Sequence, residues 1–234
     1  MKFAALALLL AVPALAQDRA AEIDFQNSVE EAQRAAKLAT EKQAAIERAL
    51  VAMNDGPEAG GLVVTYLRDH DITVKAATQS EASKTAVKSG KTTITLSDSI
   101  PAYPRVYAPL IAKEIAALMF ADMPACSERS YMRRAVAARV WTELGGEPAK
   151  LPVIEGTTGE KVAAVSDEIA VWADKSGAEM ALYKIGQAEK LSSIPELSDK
   201  AKSPAELAKL DAANARFVAF LIDEKLARQA AGLR

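Results

Sequence analysis

Residues 92–122 read TTITLSDSIPAYPRVYAPLIAKEIAALMFAD, and the order of elements in this stretch decides the fold. β-Branched residues alternate along Thr92–Leu96, a pattern that predicts a strand. A loop rich in proline follows. Its last proline, Pro109, suits the first turn of a helix, where the missing N–H costs nothing. We therefore predict a strand, a loop and then a helix over Ala108–Ala121.

The residues upstream predict the remainder of a small sheet. Leu62–Leu67 is rich in β-forming residues and Asp71–Lys75 alternates, so the charged residues between them predict the turn of a hairpin. The polar segment Gln79–Gly90 predicts a surface loop. Three short strands form a sheet that needs a helix to cover one face.

A single long helix is predicted over Gln17–Asn54, which contains neither Pro nor Gly. Its apolar residues recur in steps of three, four and seven, at Val29, Ala32, Ala36, Ala39, Ile46, Leu50 and Met53. The turn-forming residues Asn54–Pro57 end it. Two arrangements remain open, one in which this helix docks on the domain and one in which it protrudes to form a coiled coil.

The sequence downstream is predicted to be helical. The last helix has the clearest start, because Ser203 suits the cap, Pro204 the first position and Glu206 the position three beyond the cap. The other segments are a helix from Ser127 to Leu144, a linker over Pro148–Gly159, a helix from Glu160 to Lys175, a helix from Ala178 to Leu191 and a loop over Ser192–Ser203.

These elements together predict a mainly helical α+β fold with a long N-terminal helix, a small three-stranded sheet and a helical C-terminal half. The predicted divisions are residues 1–16, 17–56, 57–147 and 148–234. They correspond to a signal peptide, the long helix, an α+β core and a C-terminal helical region. The abundance of alanine favours close helix–helix packing.

The N-terminus has the pattern of a secretory signal peptide. Lys2 supplies a positive charge, Phe3–Val12 is an apolar run, and Ala14-Leu15-Ala16 fits the signal-peptidase site. We therefore expect cleavage after Ala16 and export to the periplasm or outside the cell. No second apolar run of about 18 residues follows, so the sequence predicts no integral membrane span.

Charge and cysteine content narrow the classes of partner. The formal net charge of −2 gives no electrostatic reason to expect nucleic acid or an anionic membrane as a partner. Cys126 is the only cysteine, so no intramolecular disulfide forms. It precedes a predicted helix N-terminus, where a thiol pKa can fall, and a reactive thiol is therefore one interpretation beside a plain structural cysteine.

A single histidine limits the chemistry. Because His70 is the single histidine, a histidine-triad hydrolase and a multi-histidine zinc site are both excluded. The charged neighbours Asp69 and Asp71 predict that His70 is an ordinary surface residue. The chain contains no Gly-rich phosphate loop, nucleophile elbow or calcium loop. We therefore predict no cofactor.

The strand, loop and helix of residues 92–122 resemble the plan of zincin metallopeptidases. In that family the helix carries the five-residue site H-E-x-x-H, and Lys113-Glu114-Ile115-Ala116-Ala117 stands in its place here. The resemblance implies that Ile94–Ser97 is the edge strand of a peptidase cleft. It also implies that the next helix, ending at Trp141–Gly145, is the one that often completes the site with a carboxylate. The similarity extends from Gly60 to Gly146.

The resemblance implies a site without its metal. Positions 113 and 117 are one helical turn apart, where zinc needs two imidazoles, but a protonated Lys113 has no lone pair and Ala117 has no ligand atom. Glu114 matches the general base, which has no metal-bound water to activate. In one hypothesis the Lys113 ammonium occupies the metal place and pairs with Glu128. In the simpler interpretation Lys113 and Glu114 form the solvated face of an amphipathic helix.

Three functions follow from these residues. The leading one is an exported, non-catalytic zincin-like domain, a pseudopeptidase that acts as a binding or structural module for a protein or peptide partner. The alternative is a helical envelope protein that assembles, as a homo-oligomer, through its N-terminal helix. The third is a hydrolase with a non-zinc site, which lacks a recognisable nucleophile motif.

Overall fold

The computed structural model describes residues 4–56, 58–146 and 177–232, with side chains from Gln26 onward. The predicted linker Pro148–Gly159 and the predicted helix Glu160–Lys175 lie outside these ranges. Signal-peptide cleavage after Ala16 stays a prediction. The chain divides into two units, residues 1–41 and residues 42–234, and the sheet and all the buried residues named below belong to the second unit.

The fold is a mainly helical α+β fold with a long N-terminal helix and a small mixed sheet, as the sequence predicts. The elements of the described chain, in order, are α1 Ala4–Asn54, α2 Ala59–Asp69, β1 Thr73–Ala77, β2 Ser83–Lys88, β3 Lys91–Ser97, α3 Pro104–Met119, α4 Ser127–Glu143, α5 Gly177–Glu189, α6 Ile194–Ser198 and α7 Pro204–Ala230. None of the helices in the described part is long and apolar enough to cross a membrane.

The sheet has the order β1–β3–β2, with β1 parallel and β2 antiparallel to the central strand β3. Ile94 of β3 pairs with Val74 on one side and Thr85 on the other. Ile94 and Leu96 are fully buried, because their alternate positions point to the face that α3 covers. The predicted strand over Thr92–Leu96 is thus confirmed and lies at the centre of the sheet.

The predicted strand over Leu62–Leu67 is wrong, because these residues lie within helix α2. Their β propensity is outweighed by packing: Val63 and Val64 are buried, and Gly60 lets α2 approach the end of α1 so closely that a Cβ there would lie 2.5 Å from the Met53 carbonyl oxygen. The predicted hairpin of Leu62–Leu67 with Asp71–Lys75 therefore does not form, although β1 is found where the second of its strands was expected.

The predicted loop over Gln79–Gly90 is also wrong, because it contains strand β2. Ser89 and Gly90 both have positive φ, 50° and 77°, as the two central residues of a tight antiparallel hairpin turn require. Ser89-Gly90 was the sequence signal for this hairpin. The true hairpin joins β2 to β3, and β2 forms the outer antiparallel edge of the sheet.

Helix α3 begins at Pro104, earlier than predicted, so Pro109 lies inside the helix and not in its first turn. Pro104 takes the first-turn position, and Tyr103 is the extended residue before it. The predicted starts near Ser127 and at Pro204 are confirmed, the latter with the Ser203 hydroxyl accepting a 3.2 Å hydrogen bond from the Glu206 N–H.

Helices α3 and α4 form the centre of the second unit and pack most extensively against each other. Alanines allow this close approach, because Ala108, Ala112 and Ala116 of α3 and Ala135 and Ala138 of α4 are all buried. The expected alanine-rich helix packing is therefore present, and it fixes α3 between α4 and the sheet.

Candidate functional site

The five residues in the place of the zinc motif lie in the middle of α3. Lys113 and Ala117 are half-buried and one turn apart, whereas Glu114 is 7% exposed. A lysine ammonium and an alanine methyl group are not metal ligands. In the described part of the chain, no group of three His, Cys, Asp or Glu side chains is placed to hold a metal ion.

Glu114 connects α3 to the outer strand β2. Its carboxylate accepts a 2.7 Å hydrogen bond from the Ser83 hydroxyl and a 2.6 Å hydrogen bond from the Thr85 hydroxyl, one on each oxygen. Both donors come from β2, and Ser83 is itself buried. Glu114 therefore does not lie on a solvated helix face, and it supplies an acceptor to the buried Ser83 hydroxyl and to the half-buried Thr85 hydroxyl.

The predicted edge strand is a further correction. Ile94–Ser97 lies in β3, which has a neighbour on both sides, so its backbone cannot border an open cleft as a free edge. The strand with an open edge next to Glu114 is β2. Sequence reasoning missed β2 because it was taken for a loop.

Glu128 connects α4 to α6. One carboxylate oxygen accepts a 3.0 Å hydrogen bond from the Ile194 N–H, and the other accepts a 3.2 Å hydrogen bond from the Ser127 hydroxyl. Glu128 is buried, and the Ile194 N–H that it accepts is one of the unpaired donors at the start of α6. These contacts give no support to the hypothesis that Glu128 pairs with Lys113.

His70 and Cys126 have ordinary structural surroundings. His70 is exposed at the end of α2, where its ring stacks on Tyr66 with centroids 3.9 Å apart. Cys126 is buried, and its sulfur accepts a hydrogen bond from the Arg129 N–H at the start of α4. Burial raises the pKa of the Cys126 thiol to about 11, so the thiol stays protonated and the structural interpretation is favoured.

A large cavity lies elsewhere in the second unit, between α2, α4 and α7. Its volume is about 1070 Å³, the upper end of the range for small-molecule sites. Its described lining residues are Glu58, Gly61, Leu62, Thr65, Arg139, Thr142, Glu143, Asp223, Leu226, Ala227, Ala230 and Ala231.

Glu143 holds the α2 wall of this cavity in place. Its two carboxylate oxygens accept hydrogen bonds of 2.7 and 2.8 Å from the N–H groups of Ala59 and Gly60, the first residues of α2. A carboxylate at this position satisfies two unpaired donors and interacts favourably with the positive end of the helix dipole. A second contact between α4 and the start of α2 is the 2.9 Å hydrogen bond that the Arg139 guanidinium donates to Glu58.

Glu224, on the core face of α7, is the least expected of the buried residues. It is 1% exposed, and neither of its carboxylate oxygens has a hydrogen-bond partner within the part of the chain that the structure describes. Burial raises the Glu224 pKa to about 7, against the opposing influence of Arg139 and Arg228.

Sequence reasoning missed Glu224, although a signal for it was present. The buried residues of α7 are Leu210, Ala213, Phe217, Glu224 and Arg228, which recur at helical spacing. Glu224 therefore occupies an apolar position of the repeat, on the same face as Phe217, whose ring meets that of Tyr131 edge-on. Carboxylates are rarely fully buried, so a glutamate at an apolar position of a helical repeat can be recognised from the sequence as unusual.

Comparison with protein-family models, with curated proteins and with solved structures found no match for this chain.

Proposed function

We propose that this protein is an exported, non-catalytic zincin-like domain that acts as a binding or structural module. The observation that carries the proposal is the environment of Glu114. The residue in the general-base position is buried, and both of its oxygens accept hydrogen bonds from hydroxyls of β2. A general base needs access to a water that a metal has activated, and this carboxylate is used to hold α3 against the sheet.

The arrangement around Glu114 supports the zincin-like part of the proposal. Helix α3 follows β3 through a proline-containing loop and packs against β2 and β3, which is the order that the resemblance implies. The substitution of both ligand positions by Lys113 and Ala117 supports the non-catalytic part. What remains is a rigid scaffold whose surfaces serve recognition.

The test is metal content and peptidase activity of the purified protein after equilibration with zinc. We expect far less than one zinc ion per chain and no hydrolysis of an unstructured protein substrate such as casein. The Glu114→Gln variant serves as the matched control, because it keeps the shape of the side chain. Stoichiometric zinc, or hydrolysis that Glu114→Gln abolishes, would overturn the proposal.

A second candidate function is assembly through α1, and one observation favours it. Every residue from Gln26 to Glu41 is exposed, including the apolar stripe that Val29 and Ala36 define by their seven-residue spacing. A stripe of this kind on one face of a helix is typical of a surface that packs against another helix. The occupant proposed here is α1 of a second copy of this chain.

Light scattering at increasing protein concentration tests this assembly. We expect a Val29→Glu variant to remain monomeric at concentrations at which the unchanged protein associates. Leu38→Glu is the matched control: Leu38 is also exposed, but nine residues away it lies on the opposite face of the helix. A strictly monomeric unchanged protein, or equal effects of the two variants, would rule the assembly out.

A further inference from the structure

Every charged residue in the three strands is a lysine, and the register of the sheet places these lysines on one face. Lys75 of β1 and Lys84 of β2 are both paired with Thr95 of β3, so the three side chains form one row across the sheet. At the hairpin end, Lys88 of β2 lies directly opposite Lys91 of β3. Lys84 and Lys88 are four residues apart along β2 and therefore point to the same side.

The outer face, which is the side of the sheet that carries these four lysines, is turned away from α3. Thr95 alternates with Ile94 and Leu96, the buried residues that face this helix, so its own side chain points to the opposite side. All four lysines are exposed, and the other residues of the outer face are threonine, alanine and serine. The whole chain has a net charge of −2, so positive charge is concentrated on this face.

Three of the four lysines have no counter-charge. Lys84 forms a 3.3 Å ion pair with Glu81, in the loop before β2. In the part of the chain that the structure describes, Lys75, Lys88 and Lys91 have neither an ion pair nor a side-chain hydrogen bond. Like charges directly opposite each other on neighbouring strands are destabilising, and Lys88 and Lys91 form such a pair. An anionic partner removes this repulsion.

Protection of a sheet edge explains only part of this pattern. Lysines on an outer strand discourage pairing with another sheet, and Lys84 and Lys88 are placed on such a strand. Lys91 belongs to the central strand β3, where edge protection gives no reason for a lysine. The lysine that faces Lys88 therefore needs another explanation, and binding of an anion supplies one.

The residue types of the outer face favour an acidic protein segment over other polyanions. Proteins that bind single-stranded nucleic acid stack bases on aromatic rings, and helices that lie on a membrane surface insert large apolar side chains. Arginine is the usual partner of phosphate. The strand residues of the outer face include no aromatic, large apolar or arginine side chain. Carboxylates need only the ammonium groups and hydroxyl donors such as those of Thr93 and Thr95.

The spacing of the lysines fits an extended chain. Strands are about 4.8 Å apart and residues rise about 3.4 Å along a strand, so the Cα atoms of Lys75 and Lys84 are about 10 Å apart and those of Lys84 and Lys88 about 13 Å. In an extended peptide the side chains on one face recur about every 7 Å, so acidic residues at alternate positions offer carboxylates about 7 and 14 Å apart. Different carboxylates of one segment can therefore reach different lysines.

We propose that the outer face of the sheet binds an extended, acidic segment of another protein, with its carboxylates paired to the four lysines. This binding gives a partner class to the binding module proposed above and rests on that binding role, but it does not require zincin-like ancestry. Its tests measure neither zinc content nor hydrolysis, so each of the two proposals can fail without the other.

Isothermal titration with two capped peptides tests the need for negative charge. In the probe, glutamate and threonine alternate over four repeats, and in the control glutamine replaces glutamate. We expect the glutamate peptide to bind at least about tenfold more tightly at low salt and to lose at least about tenfold in affinity when salt screens the exposed ion pairs. Equal affinities, binding of neither peptide, or an affinity that salt leaves unchanged would overturn the proposal.

Two other polyanions test the class of partner. Vesicles of phosphatidylglycerol and phosphatidylcholine stand for an anionic membrane, and a single-stranded thymidine oligonucleotide stands for nucleic acid. At an equal concentration of negative charge, we expect both to bind more weakly than the glutamate peptide. If either binds more tightly, the outer face is a lipid or nucleic-acid site and the assignment to a protein segment is wrong.

A double charge reversal on β2 tests the place of binding. We expect Lys84→Glu combined with Lys88→Glu to abolish binding of the glutamate peptide and to create binding of a peptide in which lysine and threonine alternate. The matched control is Lys209→Glu combined with Lys225→Glu, which makes the same change of charge at exposed positions of α7. The control should keep its affinity for the glutamate peptide to within about threefold, because distant surface charges are screened. Equal losses in the two double variants would show that overall charge alone attracts the peptide.

Lys91→Glu separates binding from folding. It places opposite charges directly across the hairpin, so we expect the melting temperature to rise while the affinity for the glutamate peptide falls at least about threefold. A lysine with only a structural role would not give a more stable protein that binds less tightly. A lower melting temperature, or an unchanged affinity, would contradict the role given to Lys91.

Discussion

At the scale of single residues, carboxylates hold this fold together: Glu114 and Glu128 are buried, Glu143 is half-buried, and each has a different set of donors. Glu114 accepts hydrogen bonds from two hydroxyls, and Glu143 accepts from two backbone N–H groups. Glu128 accepts from one group of each kind. Two donors satisfy the oxygens of each of these carboxylates, whereas the oxygens of Glu224 have no hydrogen-bond donor among the described residues.

Removing the Glu114 carboxylate should destabilise the protein without exposing the core. We expect Glu114→Ala to lower the free energy of unfolding by about 3 kcal/mol, because the Ser83 and Thr85 hydroxyls lose their acceptor. Urea denaturation measures the change. Glu47→Ala, on an exposed position of α1, is the control and should change it by less than about 0.5 kcal/mol. Similar losses of unfolding free energy in both variants would show that the hydrogen bonds of Glu114 do not stabilise the fold.

Glu224 should make stability depend on pH. Its pKa is about 7 in the folded protein against 4.5 ordinarily, so the folded state binds more protons between these values. Stability from this group is therefore fully present below about pH 4.5 and is lost as the pH rises through 7. The charged or titratable groups that influence it are Tyr131 and Arg139 of α4 and Arg228 of α7.

The Glu224→Gln variant isolates this effect. Gln cannot ionise, so the variant should gain stability relative to the unchanged protein as the pH is raised from 5 to 8, by up to about 3 kcal/mol. Urea denaturation at several pH values measures the difference between the two proteins. A difference in unfolding free energy that stays constant over this pH range would show that burial does not raise the pKa of Glu224.

At the scale of elements, the glycines of α2 have opposite roles. Gly60 permits contact with α1, since a Cβ would lie 2.5 Å from the Met53 carbonyl oxygen, whereas Gly61 has room for one. We expect Gly60→Ala to lower the free energy of unfolding by at least about 2 kcal/mol, because the new methyl group collides with α1. Gly61→Ala should raise it by about 0.5–1 kcal/mol, because alanine has the higher helix propensity. Thermal unfolding of both variants measures this contrast. Equal effects would mean that α2 does not pack against α1 at Gly60.

The same helix shows why sequence reasoning succeeded for some elements and failed for others. α7 and α4 were predicted because their start signals are local, within a few residues. α2 was missed because its cap, Glu143, is more than 80 residues away in sequence and its local composition favours a strand. β2 was missed because an edge strand with polar residues lacks the alternation of apolar positions that marks a half-buried strand.

The candidate sites divide in the same way. The loss of metal ligands at Lys113 and Ala117 is readable from the residue types alone. The roles of Glu114 and Glu128 are not, because their donors come from β2 and from α6. The cavity was beyond sequence reasoning, since three helices that are distant in sequence form its walls. The position of Glu224 on the apolar face of α7 could have been read from the helical spacing of the sequence.

At the scale of the whole molecule, the two ends of α1 differ in their contribution to stability. Residues 26–41 are exposed throughout, and they belong to the first unit. From Lys42 onward the helix is part of the second unit and of its core: Ala45, Ile46, Ala49 and Met53 are at most 1% exposed. The free energy of unfolding should therefore depend on the second part of the helix alone.

Two truncations test this division. A chain that begins at Lys42 should keep the unfolding free energy of the full chain to within about 1 kcal/mol, because the residues removed bury no side chains among those described. A chain that begins at Asp55 loses four core residues, each worth about 1–3 kcal/mol, and should not fold. Urea denaturation followed by circular dichroism distinguishes the two. A large loss of stability on removing residues 1–41 alone would show that the first unit is part of the cooperative structure and that its exposed stripe is not free for assembly.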